Sequence, residues 1–270
     1  MTFANKQPDL TLATMALIKS AKHAPEISRR ALSAYVLCHN DNQSELLISD
    51  REIRESQHND GGWCNVNETV LLSTICRNRS LAKDCYSAAL SWLKKIRHED
   101  GGWGKTIRDI SRIPITGLLL HLLPELSDQK AANWLKNEWK KDFSGDTRLT
   151  YKGAFFLLGL RASGASANDC PLIGETYSFL EDEQNDDGGF GPWKAHPVGS
   201  DPWSTGIVLL ALLAYPELTN RKVVENAVDW LAKNQLPNGL WPYHYIDEGS
   251  AYAYLGLVEA LKYLKKEGNQ

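Results

Sequence analysis

The segment Gln184-Asn185-Asp186-Asp187-Gly188-Gly189-Phe190-Gly191 recurs four more times along the chain, in close or worn form. Gln57-His58-Asn59-Asp60-Gly61-Gly62-Trp63 and Arg97-His98-Glu99-Asp100-Gly101-Gly102-Trp103-Gly104 are close copies. Lys141-Asp142-Phe143-Ser144-Gly145 and Gln235-Leu236-Pro237-Asn238-Gly239-Leu240-Trp241 are worn ones. With Gly62, Gly102, Gly145, Gly189 and Gly239 as markers, the steps are 40, 43, 44 and 50 residues. A period in this range marks a repeat architecture, each unit being one supersecondary element that cannot bury its own apolar face. No Pro- or Ser-rich linker interrupts the repeats. One domain over 1–270 is therefore expected, with repeats over about 44–264 and a helical pair over 9–39 completing the array.

Between the glycine loops two kinds of helix alternate. Ser80 to Ile96, Ser127 to Lys140, Leu172 to Glu183 and Thr219 to Asn234 carry Lys, Glu and Asn on one side and an apolar stripe on the other. Each has an aromatic-Leu pair late in it (Trp92-Leu93, Trp134-Leu135, Phe179-Leu180, Trp230-Leu231), the pattern of an outer helix with one wet face. Ile113 to Leu123, Leu149 to Leu160, Trp203 to Tyr215 and Ala251 to Leu264 are apolar nearly all round, hence buried. Gly117, Gly153, Gly206 and Gly256 lie inside these, where glycine costs helix stability unless close packing offsets it. Upstream, Asp9 to His23 and Ser28 to His39 form a pair broken at Pro25, with Ser28 a candidate cap. Ser44 to Gln57 and Asn67 to Asn78 form the next pair. Six outer and six inner helices in strict alternation predict an all-α, (α/α)6 barrel. No strand-period alternation competes. Every Gly-Gly-Trp loop leads into an inner helix, so the inner amino termini converge on one end, where their N–H groups and dipoles favour negative charge. Aromatics near that end are expected to line a concave apolar cavity.

Charge narrows the function classes. A formal net charge of −3 gives no electrostatic reason to expect nucleic acid as a partner. The first residues, Met1 to Pro8, do not read as a signal peptide, and the longest apolar runs are too short to cross a bilayer. Five scattered cysteines without Cys-x-x-Cys spacing read as reduced thiols of a cytoplasmic protein.

The repeats resemble the Gln-Trp motif of the terpenoid cyclase and prenyltransferase superfamily, over roughly residues 44–264. Its members include squalene–hopene cyclases, class II diterpene cyclases and the beta subunits of protein prenyltransferases. Gln184…Asp187-Gly188-Gly189-Phe190 and Gln57…Asp60-Gly61-Gly62-Trp63 carry the resemblance most closely. Ser204-Thr205-Gly206-Ile207-Val208-Leu209-Leu210-Ala211-Leu212-Leu213 is similar to the inner helix that follows the motif. Function sits in the cavity and not in the fold, so the resemblance speaks to the superfamily more than to one activity.

Class II members begin carbocation chemistry by protonating an alkene or epoxide with the middle Asp of an Asp-x-Asp-Asp-Thr motif at the start of an inner helix. That chemistry needs a carboxyl kept protonated in an apolar site. The local counterpart is Asn65-Val66-Asn67-Glu68-Thr69. Asn67 stands where the acid belongs, and an amide donates no strong proton, which leaves Glu68. Alternatively Asn65 or Asn67 caps the helix and Glu68 complements its dipole. Asp201-Pro202-Trp203-Ser204-Thr205, aligned on the same Thr, is the second candidate. There Asp201 and His196 form an acid–base pair, or Asp201 caps the helix and His196 is a solvated loop residue. Asp247-Glu248, placed before the last inner helix and after Tyr243-His244-Tyr245, is the third: a site for an acid or cation, or a cap.

Among cations, Arg148 and Lys152 bracket Tyr151 at the fourth inner helix, and Arg108 and Arg112 flank Asp109 before the third. Facing the cavity they imply a ligand with a carboxylate or phosphate; otherwise they pair with neighbouring repeats. Trp203, Tyr245 and Tyr252 are candidate aromatic walls, and Trp63, Trp103, Trp193 and Trp241 either steady carbocations or pack the repeats. A zinc site like that of the prenyltransferase beta subunits is not expected. Asp84-Cys85-Tyr86-Ser87 starts an outer helix, and Ser204 replaces the His.

The leading expectation is a stand-alone, terpenoid-cyclase-like enzyme that performs an acid-initiated cyclisation or isomerisation of a small polyene or natural-product intermediate, without metal or cofactor. Glu68, Asp201 and Asp247 are the candidate acids or bases. Asn67, Asp109, Arg112, Arg148, Tyr151, Lys152, His196, Trp203, Tyr245 and Tyr252 are candidate substrate contacts. The expected partner is a small molecule, isoprenoid or anionic, and the sequence does not set the oligomeric state. Two other classes stay open: a non-catalytic barrel that binds a ligand or protein through its open end, and a carbohydrate-active enzyme.

Overall fold

A computed structural model describes residues 7–24, 27–41, 47–79, 83–145 and 148–267. Pro25, Ser44 and Ser80, named above as helix boundaries, lie outside these residues. Among the described residues there are twelve α-helices and no strand. They are α1 (Leu10–Lys22), α2 (Ile27–Asp41), α3 (Asp50–Ser56), α4 (Val66–Asn78), α5 (Lys83–Lys95) and α6 (Ile113–Leu122), followed by α7 (Gln129–Ser144), α8 (Thr150–Ala162), α9 (Pro171–Asp182), α10 (Pro202–Leu213), α11 (Arg221–Asn234) and α12 (Ile246–Glu267).

The even-numbered helices touch in sequence: α2 with α4, then α6, α8, α10 and α12, and α12 returns to α2. That is a closed inner ring. Odd-numbered helices pack outside it, α7 against α6 and α8, α11 against α10 and α12, α1 against α12 and α2. The barrel expected from the alternation is the observed fold. In two places the inner helices meet backbone to backbone. A Cβ on Gly117 would run into the Phe155 carbonyl of α8, and one on Gly206 would run into the Tyr252 carbonyl of α12. The interior glycines are thus used for close approach.

Each repeat loop is held by the same parts. In the positive-φ region lie Gly61 (98°), Gly101 (103°), Gly188 (92°) and Gly239 (89°), which only glycine enters without strain. The following aromatic is locked by a hydroxyl on the inner helix: the backbone N–H of Trp63 donates to Thr69 Oγ1 at 3.0 Å, Trp103 to Thr116 at 2.9 Å, Phe190 to Thr205 at 3.0 Å and Trp241 to Ser250 Oγ at 2.9 Å. The indoles of Trp63, Trp103 and Trp241 are buried and donate to the outer-helix carbonyls of Ile53, Leu93 and Leu231. These three therefore pack the repeats. The repeat glutamine ties each loop to the next outer helix, Gln57 Nε2 to Cys85 O and Gln184 Nε2 to Val223 O, both at 2.9 Å. Gln235 Nε2 reaches Asp9 O at 3.0 Å, so the last loop is stitched to α1 and the ring closes.

Three expectations are corrected. The third helix starts at Asp50, with Leu47 to Ser49 ahead of it outside the helix, because Ser49 and Glu52 form a reciprocal capping box. The worn copy around Gly145 is no loop of this type: α7 runs through Phe143 to Ser144, and Phe143 packs at a tilt against Trp139 and edge to face against Phe179. Thr150 bonds instead to the carbonyl of Gly191 at 2.6 Å. Finally, α12 begins at Ile246, so Asp247 and Glu248 sit inside its first turn and not ahead of it. Gly249 lies against the Tyr243 side chain, and the helix passes through it.

Candidate functional site

At the amino-terminal end of the inner ring is a cavity of about 360 Å³. Its polar upper wall comes from Asn65, Asn67 and Glu68 at the start of α4, Lys105 from the loop before α6, and Tyr245, Asp247 and Glu248 at the start of α12. Leu32, Leu71, Leu118 and Tyr252, from α2, α4, α6 and α12, make the apolar remainder. Polar and apolar halves follow from helix geometry. Glu68 and Leu71 lie three residues apart on one face of α4, and Glu248 and Tyr252 four apart on one face of α12.

Asn65 is the cap of α4, its side chain accepting from Glu68 N at 3.1 Å. Capping by Asn65 leaves the Glu68 side chain to the cavity, where it is 7% exposed, as is Asp247. Asn67 Oδ1 is buried without a hydrogen-bond partner. Burial raises the Glu248 carboxyl above its ordinary range; Asp247 adds to this, while His244, Lys105 and the Trp203 indole oppose it. Trp203 stands one ring behind the wall, 5.8 Å from Tyr252 edge to face and 5.5 Å from Tyr151. Burial, with Glu248 nearby, also raises the Tyr252 hydroxyl.

Of the residues proposed from sequence, Glu68, Asp247, Asn67, Tyr245 and Tyr252 meet in this cavity, and Trp203 with Tyr151 backs it. The others are not in its lining. Asp201 caps α10, accepting from Ser204 N and Ser204 Oγ, each at 2.7 Å. Burial raises its carboxyl; the bonds from Ser204 and the nearby His196 oppose that. His196 lies against the Trp193 ring, 4.3 Å between centroids, in a loop where Trp193 is exposed. Asp109 and Arg112 pair with each other at 2.8 Å near the surface. Lys152 pairs with Asp142 at 2.8 Å, and Arg148 covers the outer-layer rings of Phe143 and Phe179. Arg112 thus pairs within its own loop, and Lys152 and Arg148 meet neighbouring helices. Lys105 and the leucine floor gave no sequence signal of a site, and Glu248 entered only through the Asp247-Glu248 pair placed ahead of the last helix. Its four-residue spacing from Tyr252 was the available signal.

No helix among the described residues is long and apolar enough to cross a membrane. The five cysteines form no disulfide.

No family model matches the chain. It is similar to protostadienol synthase A of Arthroderma gypseum, 30% identical over 102 residues (34% of this chain, 14% of that protein). It is also similar to the squalene–hopene cyclase of Zymomonas mobilis, 24% identical over 199 residues (60% of this chain, 30% of that protein). The chain thus spans less than a third of either curated relative. Among solved structures, the type II terpene cyclase MstE from Scytonema, in complex with the substrate geranylgeranyl dihydroxybenzoate, superposes with a TM-score of 0.72 at 15% identity, covering 94% of this chain and 98% of that one. The same enzyme without ligand gives 0.70 at 14% identity, covering 95% and 97%. A possible member of the GH105 family from Klebsiella pneumoniae gives 0.61 at 13% identity, covering 94% and 92%. The chain has the helical barrel fold of the terpenoid cyclases.

Proposed function

We propose that this chain forms a terpenoid-cyclase-like barrel that starts cyclisation or isomerisation of a small polyene by proton transfer from a carboxyl in the α4–α12 cavity. The observation that carries the reading is that Glu68, Asp247 and Glu248 share one cavity above a floor of Leu32, Leu71 and Leu118. Protonating an alkene needs a carboxyl whose neighbours disfavour its ionisation, and three carboxyls in a partly apolar cavity supply that condition. The amino ends of α4 and α12 stabilise the carboxylate left after transfer. Tyr252, with Trp203 behind it, presents aromatic surface to a developing cation. At about 30 Å³ per water-sized group the cavity holds on the order of a dozen heavy atoms, so a geranyl-sized unit fits whole and the remainder of any longer or aromatic-headed substrate would extend beyond it.

The fold shared with a cyclase that takes a prenylated dihydroxybenzoate supports prenylated aromatics as first probes. Geranyl, farnesyl and geranylgeranyl alcohols and dihydroxybenzoates would be incubated with the protein in D₂O and analysed by mass spectrometry. An isomeric cyclic or double-bond-shifted product carrying one deuterium is expected from at least one probe. Recovery of every probe unchanged and unlabelled would sink the proposal. The carbohydrate-active alternative has the GH105-like superposition in its favour, but its TM-score is lower.

A further inference from the structure

Three carboxyls in one cavity cannot all play the same part, and their surroundings differ. Glu248 stands one turn before Tyr252 on α12, at the corner where the Tyr252 and Trp203 rings meet edge to face. Behind that corner Trp203 contacts Tyr151 and Phe155, with centroids at 5.5 and 6.3 Å, so aromatic carbon fills this side of the cavity. The indole N–H of Trp203 is buried without a hydrogen-bond partner of good geometry, and it lies close enough to Glu248 to act on its charge. The other groups that face Glu248 are His244 and Asp247 on its own segment, Lys105 from the loop before α6, Tyr243, and Glu68 across the cavity on α4. Glu68 is on α4, where Asn65 and Asn67 line the same cavity with it.

Resting on the cyclase reading, we infer that Glu248 delivers the initiating proton, that the cation forms against the Tyr252–Trp203 corner, and that Glu68 on the facing helix serves as the base. An acid is most effective where the charge it creates is received, and π faces attract a cation within about 6 Å of the ring centroid. In the first step the Glu248 O–H bond breaks and the alkene π pair forms a C–H bond to that proton, leaving a tertiary cation and a carboxylate. A second alkene closes the ring onto the cation. A C–H pair next to the new cationic carbon then re-forms a double bond as its proton passes to Glu68. Water at the mouth, beside Lys105 and Tyr245, carries the proton back to Glu248. Atoms and charge balance, and the net change is isomerisation with no oxidant, reductant or co-substrate.

Glu248→Gln, Glu68→Gln and Asp247→Asn would be compared with the wild type on the probe turned over fastest. Binding of geranyl trimethylammonium, a permanent cation, would be measured in parallel from pH 5 to 8. Glu248→Gln should lower turnover by at least about a hundredfold with no loss of thermal stability. It should also abolish the rise in ammonium affinity with pH that ionisation of Glu248 gives the wild type. Glu248→Gln with near-normal turnover, or with the wild-type pH dependence of ammonium binding, overturns the assignment while leaving the cyclase reading intact. A wild type inactive on every probe sinks that reading and this assignment with it.

Discussion

The Trp92 indole occupies the space that a side chain on Gly62 would need: a Cβ there would stand 2.5 Å from Trp92 Cε2. Its Nε1 also donates to Asp60 Oδ2 of the same loop at 3.0 Å. Trp230 does the same over Gly189, donating to Asp187 at 2.9 Å. The aromatic late in an outer helix therefore serves the preceding loop, and each repeat is completed by the next. Neighbour-on-neighbour docking of this kind is how repeats that cannot fold alone become stable.

Glycines at such contacts should be irreplaceable, while others are not. Gly62→Ala and Gly117→Ala each force a methyl group into occupied space and are expected to cost about 1–3 kcal/mol. Gly174, inside α9, faces open space, so Gly174→Ala should stabilise by about 0.5–1 kcal/mol. Urea unfolding midpoints would show the two directions, and equal shifts would contradict the packing.

The hydroxyl clamp can be tested by an isosteric swap. Thr205→Val keeps the shape but strands the buried N–H of Phe190, a loss of about 1–3 kcal/mol. Hydrogen exchange at the Phe190 amide should accelerate with it. An unchanged exchange rate would mean the bond is unimportant.

Asp201 is expected to act as a cap. Asp201→Ala should cost about 1 kcal/mol while Asp201→Asn costs a fraction of that, because asparagine caps as well as aspartate. Turnover per folded molecule should survive both. Loss of turnover at full stability would instead return Asp201 to the chemistry.

Stability should carry the signature of Glu248. Its folded-state pKa lies above the ordinary 4.5. The stability linked to it is therefore whole below about pH 4.5 and is lost as pH rises through the raised folded value. Glu248→Gln stays uncharged, so the wild type should lose stability relative to this variant from about pH 4.5 until the raised folded value is passed, then run parallel to it. Denaturant titrations at several pH values would reveal that divergence; parallel curves throughout would exclude a raised Glu248.

Counted from the clamping threonine, Asp201 stands where α4 has Asn65, four residues ahead, and Ser204 stands where α4 has Glu68, one residue ahead. Asn65 and Asp201 are the caps of their helices, while Glu68, one turn past its cap, is left to the cavity. Arg148 and Lys152 looked inward by position but found Phe143, Phe179 and Asp142 on neighbouring helices.

Sequence alone determined the double ring of helices, because glycine loops, clamping hydroxyls and apolar periodicity act within one repeat and its neighbour. Those contacts are short-ranged, and forty-odd residues suffice to state them. Which carboxyls share a cavity was decided only by the tertiary structure. Successive side chains on a helix point about 100° apart, so starting α12 at Ile246 decides whether Glu248 meets solvent or Tyr252. That choice belongs to α12's packing against α2 and α10, partners brought to it only when the chain has closed on itself.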